Sequence, residues 1–164
     1  MKKLLKISFI LSWINVITGS LLILGGLMAF LVSPDILTIV LSILLPGAVI
    51  LHSYASFQLR KSCLDPGLPL NRQTPAGIRL MGFMGLFFAI MGIGNAFLIL
   101  QHTKETAKMI SLPVQAGNLD VSAVIRAAEI FTLLICLSIV ANITLSFRML
   151  KWYLLEDRSK DDSA

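Results

Sequence analysis

Charge is scarce in this chain of 164 residues, where 14% are Asp, Glu, Lys or Arg, and acids are the scarcer sign at nine against fourteen bases. No carboxylate falls in the central part of any apolar run. Glu129 is the deepest and lies towards the end of one. There is therefore no paired acid for general acid–base work and none placed for proton coupling. Cysteine and histidine are also rare, with two of each. Neither Cys63 nor Cys136 belongs to a CxxC or a Cys/His cluster, so no zinc or redox motif is present. A haem would want two histidines at matching depth, and only His52 lies inside an apolar run. HExxH, a Ser/His/Asp arrangement and a glycine-rich phosphate loop are all missing. No catalytic residue, metal or cofactor is expected, and a membrane enzyme stands third, behind two non-catalytic readings.

Apolar residues are abundant: 56% of the chain is hydrophobic and the mean hydropathy is +0.84. Four runs, at 5–32, 36–57, 76–100 and 123–152, are each long enough to cross a hydrocarbon core of about 30 Å at about 1.5 Å per residue. The pattern predicts an all-α membrane protein: four transmembrane helices in two antiparallel hairpins, one bundle over 1–155. Residues 156–164, short and charged, read as a disordered cytoplasmic tail. The first run is too long for the h-region of a signal peptide and is expected to remain.

The net charge of +5 invites a nucleic-acid reading, but its placement points to the bilayer. Eleven bases flank one side of the runs: Lys2, Lys3, Lys6, Arg60, Lys61, Arg72, Arg79, Arg148, Lys151, Arg158 and Lys160. Three, Lys104, Lys108 and Arg126, belong to the other. By the positive-inside rule both termini are cytoplasmic, an N-in/C-in arrangement. The partner this implies is the lipid bilayer and not a nucleic acid. Small size and short loops suit a bacterial inner membrane.

Within the third run Gly82, Gly85, Ala89, Gly92 and Ala96 recur at steps of three and four, one smooth helical face. The first run carries Ser12, Asn15, Gly19, Gly26 and Ala29 on a similar face, which makes it the expected partner of the third. Pro46-Gly47 interrupts the second run and predicts a kink. Ser33-Pro34-Asp35 reads as a tight turn, 58–73 as a loop containing Asp65-Pro66-Gly67, and Thr74 as a cap ahead of Pro75. The first half of the polar segment from Gln101 to Val121, which also holds Pro113, Gly117 and Asn118, reads as an interfacial extension of the third helix. Asp120 caps the last run, and Arg126 and Glu129, three apart, are placed to pair at the outer boundary.

A weak internal repeat aligns Ser56-Phe57 with Ser146-Phe147, and with them His52 and Asn142, each four residues earlier. By helical rise Asn15, His52 and Asn142 lie about 8–15 Å from the cytoplasmic helix ends. If their faces converge they form an inner-half polar pocket, with Ser12 and Ser138 nearby. Two functions follow. The leading one is a non-catalytic multi-pass protein that packs with copies of itself or a membrane partner through small-residue faces. The other is a carrier of a small solute or lipid-like ligand in the Asn15/His52/Asn142 pocket.

Overall fold

Long helices arise here because little interrupts them: an apolar chain in lipid must bond every backbone N–H within itself, and the helix does so locally. The computed structural model describes residues 2–32, 35–65, 68–109 and 120–161. Its helices are α1 (Lys2–Val32), α2 (Ile36–Leu64), α3 (Thr74–Gln101), α4 (Thr103–Met109) and α5 (Val121–Asp161), with no strand among the described residues. Four of them, α1, α2, α3 and α5, are long and apolar enough to cross a membrane. Ser33, Pro34, Pro66, Gly67, Pro113, Gly117 and Asn118, whose turns and loops were anticipated above, lie outside the described residues.

The distribution of side chains is inverted relative to a water-soluble protein. Asn15, His52, Asn142 and Ser8, Ser12, Ser53, Ser56 and Ser146 are buried, while Leu21, Met28, Phe83, Phe87, Ile90 and Phe131 point outward. In water that surface would be a severe aggregation liability. In lipid it costs nothing, and the polar groups are the ones that must hide.

Helix contacts go round a four-membered ring, α1 with α2, α2 with α3, α3 with α5 and α5 with α1, while α2 and α5 also approach across the middle. Contacts climb α1 from Phe9 to Gly26 as they descend α2 from Phe57 to Ser42. The backbones of α1 and α3 do not approach one another among the described residues. The expected pairing of their two smooth faces is therefore not formed. Each smooth face instead receives side chains from a helix with larger residues. A Cβ at Gly19 would sit 2.8 Å from Ile50 of α2, and one at Gly26 would run into Ser42. On α3, a Cβ at Gly82, Gly85 or Gly92 would lie 2.8, 3.0 or 2.7 Å from Phe147, Ile143 or Cys136 of α5. A groove is best filled by a ridge, and two grooves laid together leave space. Ala89 and Ala96 complete the face and are fully buried.

Two apolar clusters result. One holds Leu5, Leu59, Ile78, Met149 and Leu150, the other Val49, Ala89, Cys136, Ile139 and Ile143. The first explains why α2 does not stop near 57. Nothing from Gln58 to Leu64 breaks a helix, and Leu59, 0% exposed, is drawn into the core, so the loop begins at Asp65. Arg60 then lies over the ring of Phe9, 4.1 Å from its centroid, beside Trp13 and Phe57.

Other boundaries shift for local reasons. Thr74 is the first residue inside α3 and not its cap. The cap position is Gln73, whose N–H is held by Asn71 Oδ1 at 3.0 Å. α4 is a separate seven-residue helix, set off by the non-helical His102 (φ −106°, ψ 24°). α5 continues to Asp161, into the stretch expected to be disordered, because neither glycine nor proline follows Val121.

Candidate functional site

Between and beside the apolar clusters the bundle interior turns polar. Its centre is Asn142 on α5, 0% exposed and shared by three helices. The Ser12 hydroxyl of α1 donates to Asn142 Oδ1 at 3.1 Å, and Asn142 Nδ2 donates to Ser53 Oγ of α2 at 3.5 Å. One turn on, Ser146 donates to the Asn142 carbonyl at 2.8 Å and also shares a bond with Ser56 of α2. One turn in the other direction, Ser138 donates to Asn15 Oδ1 at 3.0 Å. These spacings follow from the helical repeat: Ser8, Ser12, Asn15 and Gly19 on α1, and Ser138, Asn142 and Ser146 on α5, each form one line.

His52 shares the level but faces away. Its Nδ1 lies 3.1 Å from the Ile78 carbonyl of α3. A carbonyl only accepts, so Nδ1 carries the proton and Nε2 is left as a buried lone-pair acceptor without a partner among the described residues. The ring meets Phe147 edge-on at 6.2 Å. Gly82 makes that approach possible, since a Cβ there would lie 3.2 Å from His52 Cε1.

Asn15, His52 and Asn142 are thus all buried at neighbouring levels. Asn15 and Asn142 belong to the α1–α5 seam, while His52 bonds across the α2–α3 seam. The void that touches Asn15, lined by Thr18, Gly19, Pro46, Val49, Phe88 and Ile139 among others, has no room for a water molecule. The matched serines of the internal repeat, Ser56 and Ser146, meet each other across α2 and α5.

Ser8, Ser53, Ser56 and Ser146 were not singled out as site residues. The signal was available for Ser146 and Ser8, each one turn from a polar residue already noted, Asn142 and Ser12. For Ser53 no single-helix pattern shows which face of α2 turns inward.

The outer end is held differently. The Arg126–Glu129 pair is not formed among the described residues, where His102 Nδ1 lies 3.1 Å from Glu105 Oε2 at the same end. Arg126 is exposed, where a long side chain gains little from pairing. Asp120 is the helix cap expected: its Oδ1 accepts from the Ser122 hydroxyl (2.6 Å) and from the N–H groups of Ser122 (3.0 Å) and Ala123 (3.4 Å). The Ser122 hydroxyl first, then the Ala123 N–H, hold the carboxyl below its ordinary 3.8. A carboxyl depressed in the folded state contributes stability that is present above its unfolded pKa and lost as pH falls through the folded one. The first turn of α5 is therefore expected to stay closed above pH about 4 and to fray below it. A carboxyl-carbon NMR titration of Asp120 with its midpoint at or above the ordinary value would refute this.

No family model matches the chain, and neither a curated protein nor a solved structure shows significant similarity to it.

Proposed function

We propose that this chain is a non-catalytic, multi-pass integral membrane protein that assembles with copies of itself or with a membrane partner. Its four long helices form two antiparallel hairpins, with both termini in the cytoplasm of a bacterial cell and the bundle in the inner membrane. The observation that carries the reading is the closure of the interior polar network. Asn15, Asn142 and the serines around them are used on one another, and the void beside Asn15 admits no water. Such groups hold helices together in lipid, each bond contributing about 0.6 kcal/mol on average. The charge asymmetry of eleven bases against three supports the orientation. Gly25, Gly47, Gly77 and Gly94 have open space where a Cβ would stand, and these places suit the close approach of a second chain.

A Cβ added at Gly25 or Gly94 meets nothing within 4 Å among the described residues, which makes Gly25→Leu and Gly94→Leu the variants of choice. In native membranes they are expected to leave the fold intact and lower a cross-linked species about tenfold, the change that about 1.4 kcal/mol of lost packing gives. A protein that is monomeric and without cross-linked partners in its own membrane sinks the assembly reading.

The unpartnered Nε2 of His52 favours a second reading, carriage of a small solute or lipid-like ligand at the Asn15/His52/Asn142 level. A ligand that donates a hydrogen bond would satisfy that nitrogen.

A further inference from the structure

A groove of about 410 Å³ runs between α3 and α5, with Phe83, Phe147, Leu154 and Leu155 among its walls and Arg79 and Lys151 on its rim. Both cations are exposed, and neither is ion-paired among the described residues. Their depth follows from the packing. Gly82 faces Phe147, and contacts ascend α3 as they descend α5, from Gly82–Phe147 to Gly92–Cys136. Arg79, three before Gly82, and Lys151, four after Phe147, therefore lie about one turn, roughly 5 Å, nearer the same end of the bundle. That end also carries Arg60, Arg148 and Trp152, the residues of a membrane–water interface. Phe83 and Phe147 lie deeper, at acyl-chain level.

The groove thus has the polarity of a phospholipid, cationic where a headgroup sits and apolar towards the bilayer centre. We propose that it binds one anionic phospholipid, its phosphate between Arg79 and Lys151 and an acyl chain along Phe83 and Phe147. Arginine supplies a planar fork that matches phosphate oxygens, and lysine adds a compact charge from the facing helix. A second copy of this chain is a poor occupant, because at this level it offers the same cations. The α1–α5 groove, about 260 Å³ and lined by Leu4, Leu5, Leu145, Arg148, Met149 and Trp152, has one cation and provides an internal comparison. This inference rests on the four helices crossing a bilayer and not on the assembly reading, so cross-linking results leave it unchanged.

The test is native mass spectrometry of the full chain released from nanodiscs holding equal phosphatidylglycerol and phosphatidylcholine with identical acyl chains. At about fivefold per cation, the wild type is expected to retain one phosphatidylglycerol with a preference of about twenty-five-fold. R79Q/K151Q should lose most of that preference and R148Q should keep it. R79K/K151R, which preserves both charges and guards against altered insertion in the glutamine pair, should keep it too. Millimolar inorganic phosphate should not displace the lipid. Equal retention of the two lipids, an unchanged preference in R79Q/K151Q, a lost preference in R79K/K151R, or displacement by phosphate would each overturn the proposal.

Discussion

Gly26→Leu is expected to destabilise the bundle by about 1–3 kcal/mol, while Gly25→Leu, one residue away, changes stability by no more than about 0.5 kcal/mol. The contrast comes from azimuth alone. A Cβ at 26 runs into the Ser42 side chain, with Ser42 Oγ 2.8 Å and Ser42 Cα 3.6 Å away. A Cβ is fixed by the backbone and cannot rotate clear, and Ser42 Cβ is equally fixed on α2. The two helices must therefore separate, which also loosens the contact between Gly19 and Ile50 two turns away. At 25 the same atom meets nothing within 4 Å among the described residues. Reversible unfolding in mixed micelles reads both variants. Equal losses would show that the α1–α2 contact does not depend on this close approach.

The second large effect belongs to Asn142. Asn142→Leu keeps the branched outline of the side chain but removes the amide that joins Ser12 on α1 to Ser53 on α2. Two lost bonds at about 0.6 kcal/mol each give a loss of a little over 1 kcal/mol. The loss is bounded because the abandoned Ser12 hydroxyl has another acceptor. Ser20, Thr132 and Thr144 already donate to the carbonyl four residues earlier in their own helices, and Ser12 can do the same, while Ser53, which accepts from Asn142, loses only a long bond of 3.5 Å. A double-mutant cycle with Ser12→Ala is expected to return a coupling of about 0.6 kcal/mol, below a ceiling of about 1.7. A coupling near zero removes the structural role assigned to Asn142. If the variant also stays folded but loses a bound solute, carriage displaces assembly as the better reading.

Much of this was legible in one dimension, and the reason is physical. A run of apolar residues long enough for lipid must be a helix, so the four long helices follow from hydropathy. Asp120 caps α5 because a carboxylate two and three residues ahead of free N–H groups needs only local geometry. The polar level containing Asn15, His52 and Asn142 could be placed by counting rise along each helix. Boundaries were less accessible where tertiary burial prolonged a helix, as Leu59 does for α2.

Which face meets which was not legible. Gly19 and Gly26 were expected against α3 and lie against α2, and the smooth face of α3 receives Phe147, Ile143 and Cys136 of α5. His52 and Asn142 share a level, yet one bonds to the Ile78 carbonyl and the other to Ser12 and Ser53. In water, burial of an apolar stripe would orient each helix. In lipid the stripe is solvated on every side, and helices choose partners by the fit of ridge to groove and by the few polar groups that must be bonded. Sequence alone therefore determined that the chain forms four membrane-length helices with polar and small-residue faces. The tertiary structure alone decided their partners, because that choice depends on side chains from two helices meeting, which no single helix encodes.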